Sequence, residues 1–532
     1  MSHPQDVMTN DIESWKPEVD EIERRRALAQ AMGGEEAIAR QHQQGRLTIR
    51  ERIAGLVDDG SFHEVGRLTG NATYESGKVQ SVLPAPYVCG LAKIDGRDVA
   101  LGGEDFTVRG GTSWGSERRK GGQGGFVEDL AAHYHVPLVN LIDGAGGTVT
   151  SAARRGYSVL PGVHGFERSV ELLGLVPVVG AVLGTAAGGP AGRAILSHWS
   201  VMVKGTSQVF AAGPPVVERS LREKVTKEEL GGSGVAVDLA GTIDNLAQDE
   251  QDCFRMIRRF LSYMPQSVFE LPPMVPCSDP VDRRDEGLLS ILPRDRRRPY
   301  NMRKLIEMVV DRGSVFEIQP SFGKAVITSL ARLNGKVVGV IANNPMVSGG
   351  AVDVKAARKQ IHFIELCDTF HIPLVFLVDV PGFMVGSQAE AAATLREGMR
   401  AVYVALKATV PMLTVIVRKC YGMAGMGAID KNGLGLTIAW PSAEWGSLPI
   451  EGGVAAAYSR DIRAAADPEA RQRELEQELR ELASPFRTAE AFAVEDIIDP
   501  RETRPYLCRF IDAVQGRLKT DVGPKAKSGV RP

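Results

Sequence analysis

Two stretches of the chain share one pattern, an apolar run that ends in a cluster of glycines. The first is VPVVGAVLGTAAGGPAG at residues 176–192, and the second is VPMLTVIVRKCYGMAG at residues 410–425. Such a run is typical of a buried strand with parallel neighbours. The glycines predict a tight turn into a helix, which we place at residues 191–200 in the first stretch. Glycine lets the backbone approach a ligand closely, because there is no Cβ in the way.

Three more pairs of segments recur at nearly the same separation along the chain. VPLVNLIDGAGG at 136–147 matches IPLVFLVDVPGF at 372–383, which pairs Asp143 with Asp379. LAKIDGRDVALGGEDFTVRGG at 91–111 matches LARLNGKVVGVIANNPMVSGG at 330–350, and GSFHEV at 60–65 matches GSVFEI at 313–318. Four matched segments in one order indicate two copies of one α/β domain. A chain of 532 residues also suits two cores better than one.

Composition places the domain boundaries. Residues 271–299 are rich in proline and hold the charged runs RRDEG and RDRRR, as expected of a linker. We predict a helical segment over 1–34, one domain over 35–270, this linker, a second domain over 300–515, and a disordered tail over 516–532. Local patterns predict two strands over 88–109 with a turn at Asp95-Gly96. They predict helices over the ranges 49–57, 114–134, 243–264 and 468–482.

Charge and composition exclude several classes of protein. A net charge of −2 argues against nucleic acid as the main partner. No apolar run reaches the length of about 18 residues that a membrane span needs. The N-terminus lacks a charged-then-apolar signal pattern, so we predict a cytoplasmic protein. The six cysteines are scattered without a CxxC pair, which indicates neither a disulfide framework nor a structural zinc site.

The candidate chemistry lies where the apolar runs end. The first N–H groups of a helix have no carbonyl partner, and a developing oxyanion requires such donors. The alternative is an ordinary packing glycine between strand and helix. The loop 143–147 would lie at the carboxyl edge of the sheet, where parallel α/β folds bind ligands. A second glycine-rich corner, FTVRGGT at 106–112, could hold an anionic group such as a nucleotide phosphate. Its basic rim consists of Arg109, Arg118, Arg119 and Lys120.

Several motifs occur along the chain in the same order as in a known protein family. They are the opening RRRALAQAMGGEEAIARQHQQGRLTIRERIAGLVDDGSF, then FTVRGGT, AGPPVV, EELGG, VDVPGF, RKCYGM, AWPSAE and EDIIDPRETR. Over about residues 21–515 the chain resembles the carboxyltransferase (β) subunit of biotin-dependent acyl-CoA carboxylases, the propionyl-CoA, acetyl-CoA and methylcrotonyl-CoA group. The resemblance implies an α/β fold, a tandem duplication of two crotonase-like (ClpP/crotonase) domains. This agrees with the repeat found from the sequence itself.

The resemblance also implies a reaction. A CoA thioester loses an α-proton, and its enolate attacks carbon dioxide that was carried on biotin N1, with the ureido nitrogen taking the proton. Two main-chain oxyanion holes would stabilise the two anions, each donor by roughly 3 kcal/mol. By resemblance, Gly188 and Gly189 polarise the thioester, and Met423 and Ala424 receive the biotin carbonyl. Met423 can replace the usual glycine if its φ is negative.

Further site residues follow from the same resemblance. Those expected on the substrate and CoA side are Arg109, Gly110, Gly111, Gly146, Gly147, Ala187 and Met426. Those expected on the biotin side are Gly382, Phe383, Tyr421, Gly422 and Gly425. No metal ligand is expected.

Five positions depart from the family pattern. Met426 stands where propionyl-CoA members have an aspartate tied to acyl-chain selection, and an apolar, adaptable side chain should suit a larger or less polar acyl group. The turn YGMAG partly resembles the methylcrotonyl-CoA branch. The other departures are Leu448 and Pro449 for Met-Gly, Ala236 for a histidine, and Ala393 for a glycine.

The expected partners follow from what the chain lacks. It has no Met-Lys-Met biotin attachment site and no carboxylase-type ATP loop. Biotin would therefore be carried on a biotin carboxylase and carrier (α) subunit, and only that partner would use ATP. The resemblance also implies a hexamer built from dimers, in which the first turn of one subunit faces the second turn of another.

Three other functions stay open at this point. One is the α subunit of a biotin-dependent, sodium-pumping acyl-CoA decarboxylase, which runs the transfer backwards. Another is a biotin-independent crotonase-type hydratase or hydrolase, for which Ser197 and His198 would be the candidate pair. The third is a non-catalytic assembly subunit. The sequence does not specify the acyl group.

Overall fold

A computed structural model describes residues 14–112, 125–147, 152–153, 156–158, 160, 164–428 and 436–525. Its helices are α1 Lys16–Gln30, α2 Glu35–Gln43, α3 Ile49–Leu56, α4 Phe126–Tyr134, α5 His164–Leu172, α6 Gly189–Ile195, α7 Pro214–Leu221, α8 Lys227–Gly231, α9 Glu250–Tyr263, α10 Met302–Val309, α11 Val354–Thr369, α12 Ser387–Ala391, α13 Thr394–Lys407, α14 Gly422–Met426, α15 Ile450–Ala457, α16 Ser459–Ala464, α17 Pro468–Leu482, α18 Pro485–Glu490, α19 Thr503–Ala513 and α20 Gln515–Thr520.

The strands divide between the two halves of the chain. The first half has β1 His63–Glu64, β2 Gly70–Glu75, β3 Lys78–Pro84, β4 Tyr87–Ile94, β5 Arg97–Glu104, β6 Leu138–Gly144, β7 Val178–Ala187, β8 Trp199–Val203, β9 Gln208–Phe210 and β10 Asn245–Ala247. The second half has β11 Phe316–Ile318, β12 Val326–Leu333, β13 Lys336–Asn343, β14 Leu374–Val380, β15 Met412–Tyr421, β16 Leu436–Ala439, β17 Glu444–Gly446 and β18 Asp496–Ile497.

The two sheets have the same topology. The first runs in the order β1-β4-β5-β6-β7-β8-β10 with β9 beside β7, and the second runs β11-β12-β13-β14-β15-β16-β18 with β17 beside β15. In each sheet the first three strands are antiparallel and the rest are parallel. The central strands β7 and β15 are buried along almost their whole length, as their apolar runs predict. The predicted tandem duplication is confirmed.

Both sheets carry an irregularity at the same place. The pairing of β6 with β7 shifts register between Ile142 and Gly144, and that of β14 with β15 shifts between Val378 and Val380. The residues at these bulges, Asp143 and Asp379, have 0% exposed surface. The sequence pairing of these aspartates therefore matches their equivalent positions in space.

The halves meet through a shared apolar core, with hydrogen bonds beside it. Trp199 of the first sheet stacks on Phe260 at 5.0 Å and meets Phe316 of the second half edge-on at 5.6 Å. The Tyr263 hydroxyl donates to the Ser314 carbonyl, and Arg332 donates to the Ser262 carbonyl at 2.7 Å. One hydrophobic cluster includes side chains of both halves, so the two copies pack as a unit.

Several local expectations are corrected by the structure. The helix expected over 191–200 is α6, which ends at Ile195, and WSVMV then forms β8. The range 243–264 holds a strand before its helix, because Asn245–Ala247 pairs with β8. Short apolar runs do not distinguish strand from helix by periodicity, which explains both errors. In the expected disordered tail, Gln515–Thr520 is helical and buries Leu518.

Other local predictions are confirmed. Asp95 and Gly96 connect β4 to β5, Thr48 and Glu51 form a capping box on α3, and α17 has the predicted bounds. Of the helix expected over 114–134, only α4 falls within the described residues, and Arg118, Arg119 and Lys120 lie outside them. None of the helices described has the length and apolarity needed to cross a membrane.

Ala393, one of the departures from the family pattern, has a strained backbone. It precedes α13 with φ 65° and ψ 37°, the left-handed region that glycine adopts without penalty. We expect Ala393→Gly to raise the free energy of unfolding by about 1 kcal/mol, since an L-residue with a Cβ is penalised by that amount there. Denaturant unfolding of both proteins measures the difference.

The neighbouring Ala392 provides the control, since its φ is −79° and a glycine there relieves no strain. Ala392→Gly should lower the stability by a few tenths of a kcal/mol to about 1 kcal/mol. A stability loss of equal size in both variants would contradict the assignment of strain to Ala393.

Candidate functional site

The first glycine turn leaves main-chain donors open at the end of β7. Gly188 has φ 61° and ψ −122°, and α6 begins at the next residue. A Cβ added at Gly188 would meet nothing within 4 Å, so this corner faces open space. No described residue accepts a hydrogen bond from the N–H of Gly188 or Gly189. The turn therefore presents two adjacent donors that the described residues do not use.

The second turn is built in the same way at the end of β15. Gly422 has φ 59°, close to the value at Gly188, and starts α14. Met423 is helical and is absent from the residues with positive φ, so the condition for replacing a glycine there is met. Within the described chain, no acceptor binds the N–H of Met423 or Ala424. The register of the two sheets makes Gly188 equivalent to Gly422 and therefore Gly189 equivalent to Met423. Ala424 lies one residue beyond the position equivalent to Gly189.

The loop after β6 packs directly on the first turn. A Cβ on Gly146 would lie 2.5 Å from the Ala187 carbonyl oxygen and 3.6 Å from the Gly188 Cα. The Ala145 N–H donates to the Gly110 carbonyl at 3.0 Å, and a Cβ on Gly111 would lie 2.8 Å from the Asp143 carbonyl. The structure thus brings together three predicted CoA-side segments. They are 109–111, 144–147 and 187–189.

The loop after β14 forms the corresponding wall beside the second turn. The Val352 N–H donates to the Gly382 carbonyl at 3.1 Å, and Gly382 itself borders open space. The Phe383 ring packs against Gly398 of α13, where a Cβ would lie 2.6 Å from its Cζ. Tyr421 is 3% exposed, and burial raises the pKa of its phenol. Phe383 and Tyr421 are therefore packing residues that support the turn.

The sequence did not point to the ion pair that anchors α6. Arg193 of this helix is buried and pairs with the Glu104 carboxylate. Its guanidinium also donates to Asn140 Oδ1 at 3.3 Å and lies over the Tyr87 ring at 5.6 Å. A buried charge without a partner is costly, so this pair holds the helix that follows Gly188. The available signal was a lone arginine in the short, otherwise apolar helix GPAGRAI.

A second unforeseen pair joins the linker to the other turn. Arg296 of the linker pairs with the Glu444 carboxylate on β17. Glu444 lies opposite Lys419 in the sheet, three residues before Gly422. Burial raises the pKa of Glu444, although Arg296 and Lys419 oppose the rise. The linker segment is therefore folded onto the carboxyl edge of the second sheet.

Ser197 and His198 do not form a catalytic pair. The Ser197 hydroxyl donates to the Ala194 carbonyl at 2.7 Å. His198 Nδ1 accepts from the Val178 N–H at 3.0 Å, so its Nε2–H donates to the Leu173 carbonyl at 3.0 Å. Burial lowers the pKa of this imidazole to about 3. It is neutral, hydrogen-bonded at both nitrogens and unavailable as a base. No cluster of three or more metal-ligating side chains occurs in the residues described.

Comparison with known proteins gives consistent results. The model of the carboxyl transferase domain matches residues 40–527. The carboxyltransferase subunit of propionyl-CoA carboxylase from Haloferax mediterranei is 35% identical over 516 residues, covering 96% of this chain and 98% of that protein. Methylmalonyl-CoA decarboxylase subunit alpha from Veillonella parvula is 35% identical over 483 residues, covering 90% and 92% respectively.

A solved structure agrees over nearly the whole length. Transcarboxylase 12S, described as a hexamer with methylmalonyl-coenzyme A and methylmalonic acid bound, matches with a TM-score of 0.85 at 31% identity. The match covers 98% of this chain and 97% of that one. The fold and its two main-chain turns thus define a tandem crotonase-like α/β protein. More specifically, the chain belongs to the carboxyl transferase family, as the resemblance of its motifs predicted.

Gly146→Ala tests the contact between the β6 loop and the first turn. The new Cβ would collide with the Ala187 carbonyl, which is backbone and cannot rotate away. Gly205→Ala is the matched control, because Gly205 has φ 75° against 78° at Gly146 but no atom within 4 Å of its Cβ position. We expect Gly146→Ala to lose about 2 kcal/mol more unfolding free energy than Gly205→Ala. Equal losses would show that the contact is loose.

His198 should make the fold sensitive to acid. Its pKa is about 3 in the fold against an ordinary 6.5, so the neutral form stabilises the protein above pH 6.5 and this stability is lost as the pH falls toward 3. Between pH 7 and pH 5 the loss is about 2 kcal/mol. We expect His198→Gln to remove that part of the pH dependence, measured by denaturant unfolding at both pH values. An unchanged difference between the two pH values would exclude His198 as its source.

Proposed function

We propose that the protein is the carboxyltransferase subunit of a biotin-dependent acyl-CoA carboxylase. It moves a carboxyl group from biotin, delivered by a partner subunit, to the α-carbon of an acyl-CoA. The observation that supports this most strongly is that both duplicated sheets end, at equivalent positions, in a turn whose main-chain N–H groups have no acceptor among the described residues. A reaction that develops one anion on a thioester and another on a ureido group needs two such donor sites.

Each turn has a proposed role. The N–H groups of Gly188 and Gly189 hold the thioester oxygen as negative charge develops on it. Those of Met423 and Ala424 hold the ureido oxygen of the incoming biotin. The described residues around both turns offer no triad of side chains, and His198 is already excluded as a base. Backbone donors that are fixed before the reaction stabilise charge without having to reorganise.

The CoA and biotin are proposed to approach different halves. Arg109, Gly110, Gly111, Gly146, Gly147 and Ala187 surround the first turn and would contact the CoA thioester. Gly382 and Gly422 leave room for biotin at the second turn, with Phe383 and Tyr421 beneath. Gly425 is buried, and a Cβ there would lie 2.8 Å from Cys420 Sγ, so its proposed part is to let the turn pack closely. A complete site then requires the first turn of one subunit to face the second turn of another. We propose a hexamer built from dimers, like the hexamer described for transcarboxylase 12S.

The acyl group is proposed to be larger or less polar than propionyl. Met426 is 47% exposed and Met423 is 45% exposed, so both thioethers border the second turn. Leu448, 61% exposed, follows Ser447, whose carbonyl faces Gly422. An apolar and flexible lip of this kind adapts to acyl chains of varied shape. ATP would be used only by the partner that carboxylates biotin.

Removal of single N–H donors tests the proposed roles. Proline at Gly189 or at Ala424 deletes one donor, and both positions lie in the first turn of a helix, where proline is tolerated. We expect each variant to lose about 100-fold or more in kcat with little change in KM for the acyl-CoA. The assay is fixation of labelled bicarbonate with ATP, a biotinylated partner subunit and a panel of acyl-CoAs of increasing chain size.

Two results of this assay would contradict the proposal. Unchanged kcat in both proline variants would show that the turns do not act as oxyanion holes. Transfer only from carboxyacyl-CoA to biotin, with no net fixation, would assign the chain to the decarboxylase class instead. Thermal unfolding of the variants, matched to that of the parent protein, confirms that a loss of activity is not a loss of structure.

A further inference from the structure

Five linker residues, 294–298 (RDRRR), lie against β15 and β17, the strands beside the second turn; we call them the arginine segment. Arg296 pairs with Glu444 on β17, and Arg418 of β15 donates to the Arg298 carbonyl at 3.0 Å. Glu444 is in register with Lys419, and Gly446 with Tyr421, the last residue before the second turn. The segment is therefore held at the carboxyl edge of the second sheet, beside the place proposed for biotin.

Most arginines of the arginine segment have no carboxylate partner among the described residues. Arg294, Arg297 and Arg298 are exposed, and none of them forms an ion pair with the described part of the chain. Among the described residues, a carboxylate partner is present only for Arg296, and it is Glu444. Asp295 is the one acid of the segment, and its Oδ1 accepts from the main-chain N–H of Arg297 at 2.9 Å. Three exposed guanidinium groups of the segment thus have no carboxylate partner in the described ranges.

We propose that the arginine segment is a docking surface for an acidic face of the partner's biotin carrier. This inference rests on the proposed function, since a carrier must bring its biotin to the second turn from solvent. Free positive charge beside the entrance would steer a negatively charged partner and raise its association rate. CoA phosphates are the other candidate anions, and the experiment below distinguishes them from the carrier.

A charge-reversal variant tests the surface. It combines Arg294→Glu, Arg297→Glu and Arg298→Glu in the full chain. The matched control combines Lys78→Glu, Arg312→Glu and Lys519→Glu, three exposed cations on other parts of the surface with the same change in net charge. A third variant keeps the charge, with lysine at the three arginine positions.

The readouts separate docking from chemistry. kcat/KM is measured for the biotinylated partner subunit, for free biotin as carboxyl acceptor in the reverse reaction, and for the acyl-CoA. For the partner subunit we expect a loss of about tenfold or more in the reversal variant, near parental values in the lysine variant, and little change in the control. Raising the salt from about 0.05 M to about 0.3 M should slow the parent but not the reversal variant. Free biotin and acyl-CoA should react as before.

Other results would overturn the inference. A rise in KM for the acyl-CoA, with the partner unaffected, would assign the arginines to CoA phosphates. An equal loss of kcat/KM for the partner subunit in the reversal variant and in the control would show that net charge, and not the arginine segment, causes the effect. If the parent protein transfers no carboxyl group to or from free biotin or the partner, the proposed function fails and this inference fails with it.

Discussion

A buried carboxylate at the bulge of each sheet determines where both turns can lie. Asp143 and Asp379 are fully buried, so each needs cations or hydrogen-bond donors fixed around it. In the second half, Arg418 on the adjacent strand supplies the charge, with its Nη2 at 2.9 Å from Asp379 Oδ2. In the first half, the equivalent strand position is Gly184, where a Cβ would lie 2.1 Å from Asp143 Oδ1. The two copies therefore neutralise the equivalent buried aspartate with cations from different elements.

In the first half, the cations that pair with Asp143 come from α3 and the residues just before it, so this segment becomes part of the site. Arg52 reaches Asp143 at 2.9 Å and Glu250 at 2.8 Å, and Arg46 reaches Asp143 at 3.1 Å while lying over the Phe106 ring at 4.7 Å. This network connects α3, the β6 loop, α9 and the FTVRGG corner. Arg46 and Arg52 thus neutralise the carboxylate of Asp143, at the start of the loop that packs on Gly188. The motif RLTIRER near the start of the chain supplies the two arginines of this network, Arg46 and Arg52.

Sequence reasoning succeeded where one strand pattern was repeated and failed where contacts joined distant residues. The duplicated runs predicted the central strands β7 and β15, both turns and the pairing of Asp143 with Asp379, because buried parallel strands and glycine corners leave local signals. The pairs Glu104–Arg193 and Arg296–Glu444 could not be predicted, since their members are far apart in the chain and the fold alone brings them together. β8 was missed because WSVMV is too short for its period to be recognised.

The second turn shows why such a site can diverge without losing its function. Gly188 and Gly422 keep nearly the same φ, 61° and 59°, since the strand must turn there into a helix. The following residue is glycine in one copy and methionine in the other, yet the N–H donor is present in both. Chemistry that depends on main-chain groups leaves the side chains free to change. Under the proposed function, Met423 and Met426 would therefore reshape the rim for a different acyl group while the donors beneath them remain in place.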